Sequence, residues 1–348
     1  MKQMKIVIIG PAWVGDMVMS QSLYITLKQQ HPDAELHVMA PAWCQPLLAR
    51  MPQVDRAIPM PIGHGELRLL ARWRLGRELA REGYDWAIVL PNSLKSALIP
   101  WFAHIPRRTG WKGESRYGLL NDLRSNKQTF PMMVQRYVAL AHDKSTMTDA
   151  QTLPDIAHPQ LRVDPQAQQT TLERLNLTLT RPVLALCPGA EFGPAKRWPE
   201  EKYAEIAQLW LAQGGQVWIF GSAKDSAVAE TIRQQLAAEF ANHCHCLAGE
   251  TSLTEAIDLL AASQQVVSND SGLMHIAAAL ARPLVAVYGS TSTVYTPPLS
   301  QQVEVVHTDI PCRPCFKRVC PLGHLNCLKQ LPSEQVWQAI CRLQAKAD

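Results

Sequence analysis

The chain has 348 residues, 47% of them hydrophobic and 18% charged, with a formal net charge of +4 and nine cysteines. Length and apolar content suit two or three globular domains and exclude a disordered chain, and no apolar run reaches the length of a membrane span. The net charge is too small to mark a nucleic-acid binder, but it suits an anionic substrate or an anionic membrane face.

The first apolar run, Ile6–Ile9, is short and Asp16 follows soon after it. It therefore reads as a first strand, Lys5–Ile9, rather than a secretory signal, and a cytoplasmic chain with mostly reduced thiols is expected. Gly15–Gln30 follows as a helix, Glu35–Met39 as a strand and Ala42–Arg50 as a short helix. Leu67–Arg81 is an amphipathic helix and Trp86–Leu90 a strand. The stretch from Lys144 to Pro165 is rich in threonine and proline and reads as the approach to a linker. Alternation then restarts, with strands at Val183–Cys187, Gln216–Phe220, Gln265–Ser268 and Leu284–Gly289. Helices are expected at Pro199–Gln213, Asp225–Ala238, Leu253–Ala262 and Ser333–Gln344. Strands alternating with helices imply right-handed βαβ units around parallel sheets. The expected architecture is α/β: two Rossmann-like, doubly wound domains, 1–165 and 166–332, facing a central cleft. A last helix, 333–348, is expected to pack back on the first domain. Ligands of such sheets bind outside the strand C-terminal ends.

Three strand ends carry the informative turns. After Ile9 comes Gly10-Pro11-Ala12-Trp13-Val14-Gly15-Asp16-Met17, a glycine turn that opens a helix but lacks the dinucleotide spacing. The helix dipole favours an ionised Asp16, able to take a proton from a sugar hydroxyl, although from the residues alone a plain helix cap is the stronger reading. After Cys187 comes Pro188-Gly189-Ala190-Glu191-Phe192-Gly193-Pro194-Ala195-Lys196-Arg197-Trp198-Pro199. Lys196 and Arg197 oppose the positive end of the helix that begins at Pro199, a conflict that a bound phosphate would relieve. After Ser268 comes Asn269-Asp270-Ser271-Gly272-Leu273-Met274-His275, which places small polar groups at a helix N-terminus; a plain cap by Asp270 or Ser271 fits the same residues. Gly221-Ser222 and Leu247–Ser252 add further strand-end turns. No Asp-x-Asp pair occurs, so the common carboxylate clamp for a metal-bound sugar nucleotide is missing.

Cys312, Cys315, Cys320 and Cys327, with His324 nearby, form a compact cluster able to ligate structural zinc, though only the first pair is CxxC. Redox-sensitive or simply packed thiols fit the same residues. A basic and aromatic stretch, with Lys95, Arg108, Lys112 and Arg116, reads either as a solvated loop or as a holder for a phosphorylated glycolipid.

Together, Gly10–Gln21, Pro188–Pro199 and Asn269–His275 resemble glycosyltransferase family 9, the lipopolysaccharide heptosyltransferases. Met39–Cys44 and Arg108–Trp111 look similar too, so the likeness spans most of the chain. The resemblance implies a GT-B fold and an inverting, metal-independent transfer that needs no cofactor. ADP-L-glycero-D-manno-heptose is the implied donor. The Trp13–Met17 and Glu191–Lys196 segments look most like the members whose acceptor is the first heptose of heptosyl-Kdo2-lipid A. By the family pattern Asp16 is the base, Lys196 meets the diphosphate and Asp270 meets the heptose hydroxyls. Ser271, Gly272 and His275 line the donor phosphates; Gly189, Ala190, Gly221 and Ser222 complete the donor rim. Lys95, Arg108, Lys112 and Arg116 are the expected acceptor contacts. The implied protein is a monomer in peripheral contact with the cytoplasmic face of the inner membrane, with no nucleic-acid partner. The alternatives are a family member with a different acceptor, a sugar-nucleotide epimerase on a similar fold, or a zinc interaction module built on the cysteines.

Overall fold

The computed structural model describes residues 3–63 and 65–346, so Met1, Lys2, Ala347 and Asp348, at the ends of the expected segments, lie outside the described residues. The chain divides into two compact units, Met1–Pro159 and Gln160–Asp348. The division falls slightly ahead of the expected boundary at 165, because the residues just after Pro159 are tied into the second unit. Leu161 N–H donates to Ala279 O (3.1 Å), and Asp164 N–H donates to the Asp258 carboxylate (3.0 Å).

In the first unit the order is β1 (Lys5–Ile9), α1 (Val14–Gln30), β2 (Glu35–Ala40), α2 (Gln45–Leu48), β3 (Arg56–Pro59) and α3 (Leu69–Ala80). Then come β4 (Trp86–Val89), α4 (Leu94–Phe102), β5 (Arg107–Trp111), β6 (Asp122–Arg124) and α5 (Met133–Val138). The strands form one parallel sheet in the order β3-β2-β1-β4-β5-β6. Ile6, Val7 and Ile8 in its centre are fully buried, as expected of a strand covered by helices on both faces. The basic and aromatic stretch is not one loop: Lys95 lies on α4 and Arg107–Trp111 form β5. The Arg107 guanidinium lies 3.9 Å from the centroid of the Trp86 ring, so the charge is carried on the strand rather than on a loop.

The second unit holds α6 (Pro165–Arg174), β7 (Val183–Cys187), α7 (Glu200–Ala212), β8 (Gln216–Ile219), α8 (Ser226–Gln234), β9 (Cys244–Cys246) and α9 (Leu253–Ala261). It continues with β10 (Gln265–Asn269), α10 (Gly272–Ala279), β11 (Leu284–Val287), β12 (Val303–Val306), α11 (Asn326–Lys329) and α12 (Ser333–Ala345). The strand order, β12-β11-β10-β7-β8-β9, is again all parallel. Local chemistry sets the helix starts. Ser252 and Glu255 form a reciprocal capping box on α9, and Asp164 caps α6 through the N–H groups of Gln166 and Ala167.

Each sheet reverses its winding direction between two central neighbours, β1 and β4 in the first unit, β7 and β10 in the second. The crevice at such a point is where an open α/β sheet binds its ligand. All three motif-bearing turns leave the C-terminal ends of these strands.

The last helix corrects an expectation. Helix α12, expected on the first unit, packs within the second, against β11, β12 and α7. Its stripe of Val336, Ala339, Ile340 and Leu343 is buried in the core shared with Leu184, Val285 and Trp198. Ile340→Ala should therefore lower the unfolding free energy of the second unit by about 2–5 kcal/mol in urea denaturation. A loss below about 0.5 kcal/mol, as at a surface site, would show that the helix is not part of that core.

Candidate active site

The second unit builds its site around one side chain. Asn269 ends β10 and is fully buried. Its Nδ2 donates to Pro188 O at 2.6 Å, while its Oδ1 accepts from Trp198 N–H at 3.1 Å and from the Tyr203 hydroxyl at 3.0 Å. One amide thus fixes both ends of the loop between β7 and α7. A buried amide with three partners is costly to displace, because each lost partner leaves a desolvated polar group.

The fixed loop delivers Lys196 to Asp270. Lys196 Nζ lies 2.5 Å from Asp270 Oδ2, and the Thr291 hydroxyl donates to the same oxygen at 2.5 Å. Lys196 is 13% and Asp270 4% exposed, so the pair is largely shielded from water. Its neighbour Arg197 reaches Asp225 at 3.4 Å. The two cations that seemed to oppose the α7 dipole are therefore matched by two carboxylates, and no phosphate is needed to explain their placing.

Asp270 and Ser271 do not cap α10. Ser271 occupies the N-cap position without a side-chain cap bond; its hydroxyl stands 3.3 Å from that of Ser268. Gly272 opens the helix. His275, in its first turn, is buried, and burial pushes its imidazole down to about 4, with Lys196 acting in the same direction and Asp270 opposing. It is a neutral ring at pH 7.

Gly189, Ala190, Gly221 and Ser222 gather around a different carboxylate. A Cβ on Gly189 or on Gly221 would come within 2.7 Å of the Asp225 side chain. Asp225 accepts from the Ser222 N–H (3.0 Å) and hydroxyl (2.7 Å). Ala190 is buried and its carbonyl accepts from Gly193 N–H. The two glycines thus let the loops after β7 and β8 close onto Asp225.

The cysteine-rich segment braces the Lys196 loop from outside. Arg318 O accepts from Ala195 N–H at 3.0 Å, and Gly193 (φ +151°) leaves only 2.5 Å between that oxygen and a would-be Cβ. Ser290 O accepts from the N–H groups of Cys315 and Phe316, and Phe192 sits between Lys196 and Arg318, its ring centroid 5.0 and 5.4 Å from their charges. Cys312, Cys315, Cys320 and Cys327 line a cavity of about 20 Å³ together with His324. All nine cysteines are free thiols. Among the described residues no three His, Cys, Asp or Glu side chains are placed to hold a metal ion, so no zinc is assigned there.

In the first unit Asp16 is half-buried in the first turn of α1, at the end of β1. The N-cap position is held by Trp13, which makes no side-chain cap bond, and Asp16 stands three residues further in. Lys95 is half-buried on α4, next to the same switch point, and Lys112 is exposed, its ammonium 5.7 Å from the centroid of the Tyr117 ring.

Two of the expected acceptor contacts already have backbone partners. Arg116 is 1% exposed and donates to the carbonyls of Pro91 and Trp111, closing the ends of β4 and β5 from inside. Burial pushes its guanidinium down to about 10. Arg108 donates through Nε to Leu119 O and through Nη1 to Ile105 O. Both guanidiniums satisfy backbone carbonyls that would otherwise be left unpaired.

Asn269, Thr291, Asp225 and Arg318 had no role in the sequence reading. Asn269 stood inside a quoted motif. Thr291 follows β11 in a Gly-Ser-Thr turn that resembles the other strand ends, whereas nothing local marks Arg318, whose contribution is a backbone carbonyl.

Residues 72–326 match glycosyltransferase family 9 (heptosyltransferase). Lipooligosaccharide heptosyltransferase 2 of Haemophilus influenzae is 58% identical over 307 residues, covering 87% of this chain and 88% of that protein. Lipopolysaccharide heptosyltransferase 2 of Escherichia coli K12 is 55% identical over 305 residues, with 87% and 88% covered. The solved structure of the E. coli ADP-heptose LPS heptosyltransferase II has a TM-score of 0.89 at 49% identity, over 99% of both chains.

Two outcomes follow from the geometry. Lys196→Met should cost about 3–5 kcal/mol of stability by leaving a buried carboxylate without its cation. Adding Asp270→Asn should recover much of that loss in a double-mutant cycle, whereas additive losses would show that the pair is not coupled. His275 is protonated more easily in the unfolded chain (6.5) than in the fold (about 4). Its contribution, on the order of 3 kcal/mol, is therefore complete above pH 6.5 and lost as pH falls towards 4. Denaturation of His275→Gln should show a flatter pH dependence across that window; an unchanged slope would contradict the buried neutral ring.

Proposed function

This chain belongs to glycosyltransferase family 9, the heptosyltransferases, and we propose that its two units divide between them an inverting transfer that needs no metal. It is an ADP-heptose-dependent glycosyltransferase of lipopolysaccharide inner-core biosynthesis. Its fold is that of two Rossmann-like domains of the GT-B class.

The observation that carries the reading is the Lys196–Asp270–Thr291 cluster at the switch point of the second sheet, beside the first turn of α10. Donor binding redistributes that cluster. Lys196 turns from Asp270 to the diphosphate, where the first N–H groups of α10, from Ser271 and Gly272 onward, add their partial positive charge. Asp270, held by Thr291, then accepts from the heptose hydroxyls. His275 supports the helix turn as a neutral ring and carries no charge to the phosphates.

In the first unit Asp16 takes the proton of the attacking acceptor hydroxyl. The acceptor oxygen forms its bond to the anomeric carbon as the bond from that carbon to the diphosphate oxygen breaks. ADP leaves with the electron pair, and the configuration at the anomeric carbon inverts. The transition state carries oxocarbenium character, so a base on one side and fixed positive charge on the other lower its energy together.

The acceptor in this reading is the first heptose of heptosyl-Kdo2-lipid A, supported by the likeness to proteins named heptosyltransferase 2. Lys95 and Lys112, with the half-buried Arg108 beside them, are its cationic contacts, while Arg116 is buried against backbone carbonyls. The enzyme works as a monomer at the cytoplasmic face of the inner membrane. Its contact with the membrane is peripheral in this reading; among the described residues no helix is long and apolar enough to cross a membrane.

Asp16→Asn keeps the shape of the residue and removes the base. ADP affinity by calorimetry should persist while turnover falls by roughly 10²–10⁴-fold. Near-native turnover in that variant would remove Asp16 from the reaction.

A further inference from the structure

Helix α3 presents an outer face that the chemistry above does not use. Leu70, Trp73, Arg74, Arg77 and Arg81 fall on that face at helical spacing and are all exposed. Leu70, at the N-terminal end of this solvent-facing stripe, is 72% exposed, and Leu69 beside it is 51% exposed. The opposite side of the helix is fixed. Arg72 is buried and donates to the carbonyls of Leu67, Glu66 and Lys95, which ties α3 to the start of α4. Gly76 lets the two helices touch, since a Cβ there would meet Phe102 at 2.5 Å.

The neighbouring helix extends the face. Trp101 on α4 is 42% exposed, its ring 5.0 Å from that of Phe102. Together with Trp73, Arg77, Phe102 and His104 it lines an open groove of about 420 Å³. Two indoles and two leucines thus stand in water among guanidiniums. Acidic residues do not cancel the charge. Glu78 is the acid on the stripe; Glu66 pairs with Arg68 (3.0 Å) and Glu82 with Arg56 (3.2 Å).

We propose that this face of α3 and α4 is the surface by which the protein docks on an anionic phospholipid bilayer. Apolar and indole side chains enter the headgroup boundary, while the arginines stay at the level of the lipid phosphates. Indole suits that boundary, with an apolar body and a polar N–H. The charge pattern favours a lipid surface over a protein groove, because the guanidiniums are interleaved with the apolar residues instead of forming a rim around them. The inference supplies a location for the peripheral contact in the proposed function and rests on that reading for its purpose, but binding to lipid is measured without any transfer.

The test uses the full chain in flotation with vesicles of phosphatidylcholine, with and without phosphatidylglycerol. The protein should float with the phosphatidylglycerol vesicles, less so at high salt, and not with phosphatidylcholine alone. Arg74→Gln, Arg77→Gln and Arg81→Gln should each weaken binding about fivefold. Trp73→Ser with Trp101→Ser should weaken it as well, including the part that resists salt. All these positions are exposed, so unchanged thermal unfolding serves as the folding control, and transfer to a detergent-dispersed acceptor should be unchanged. Absence of flotation with phosphatidylglycerol vesicles, or equal flotation of the variants, would overturn the proposal while leaving the transfer reading intact. Self-association in the absence of lipid that the same variants abolish would assign the face to a second copy of the chain and overturn it as well.

Discussion

The Asn269 side chain is the constraint on which the second unit's site depends. It lies at the end of β10, next to β7, where the sheet changes winding direction. Its three hydrogen bonds hold the loop after β7 at both ends. Lys196 could not otherwise be kept beside Asp270, since the two are far apart in sequence and Lys196 is borne on a short 3₁₀ turn, Pro194–Lys196. The backbone of the cysteine-rich segment supports the same turn from the other side through Arg318 O. Site geometry here is a product of backbone carbonyls and one amide, with the charged groups mounted on them.

In the proposed function the buried pair lets a cationic site for a diphosphate exist before its ligand arrives. A lone ammonium at 13% exposure would carry a desolvation penalty with nothing to offset it. Asp270 offsets it while Thr291 holds the carboxylate in place. A diphosphate carries more negative charge than one carboxylate, so it can compete for Lys196 and release Asp270 for sugar hydroxyls. In the proposed function the same residues serve folding and binding in turn. That dual use also explains why removal of Lys196 is expected to register in stability as well as in donor use.

Much of this was legible in the sequence, and for identifiable reasons. Buried parallel strands read as short apolar runs, so β1, β4, β7 and β10 were visible, and the glycine and proline punctuation after them marked the turns. Segments 92–143 were harder. Strands β5 and β6 are short and polar, lie toward the edge of the sheet, and carry arginines whose partners are not local in pattern. Arg116 looked like a surface cation because sequence does not reveal the carbonyls of Pro91 and Trp111 that bury it. Helix α12 showed its apolar stripe plainly, but a stripe does not say which core receives it. Lys196 and Arg197 were singled out by a sound argument about the helix dipole, yet the structure resolves the conflict with Asp270 and Asp225 as well.

In the proposed function this chain extends an inner core that already bears one heptose. The most direct measurement is ADP release from ADP-heptose with two acceptors, Kdo2-lipid A carrying one heptose and Kdo2-lipid A carrying none. The account predicts release with the mono-heptosylated acceptor and background release with the other. Release with the unheptosylated acceptor alone, or with neither, would contradict it.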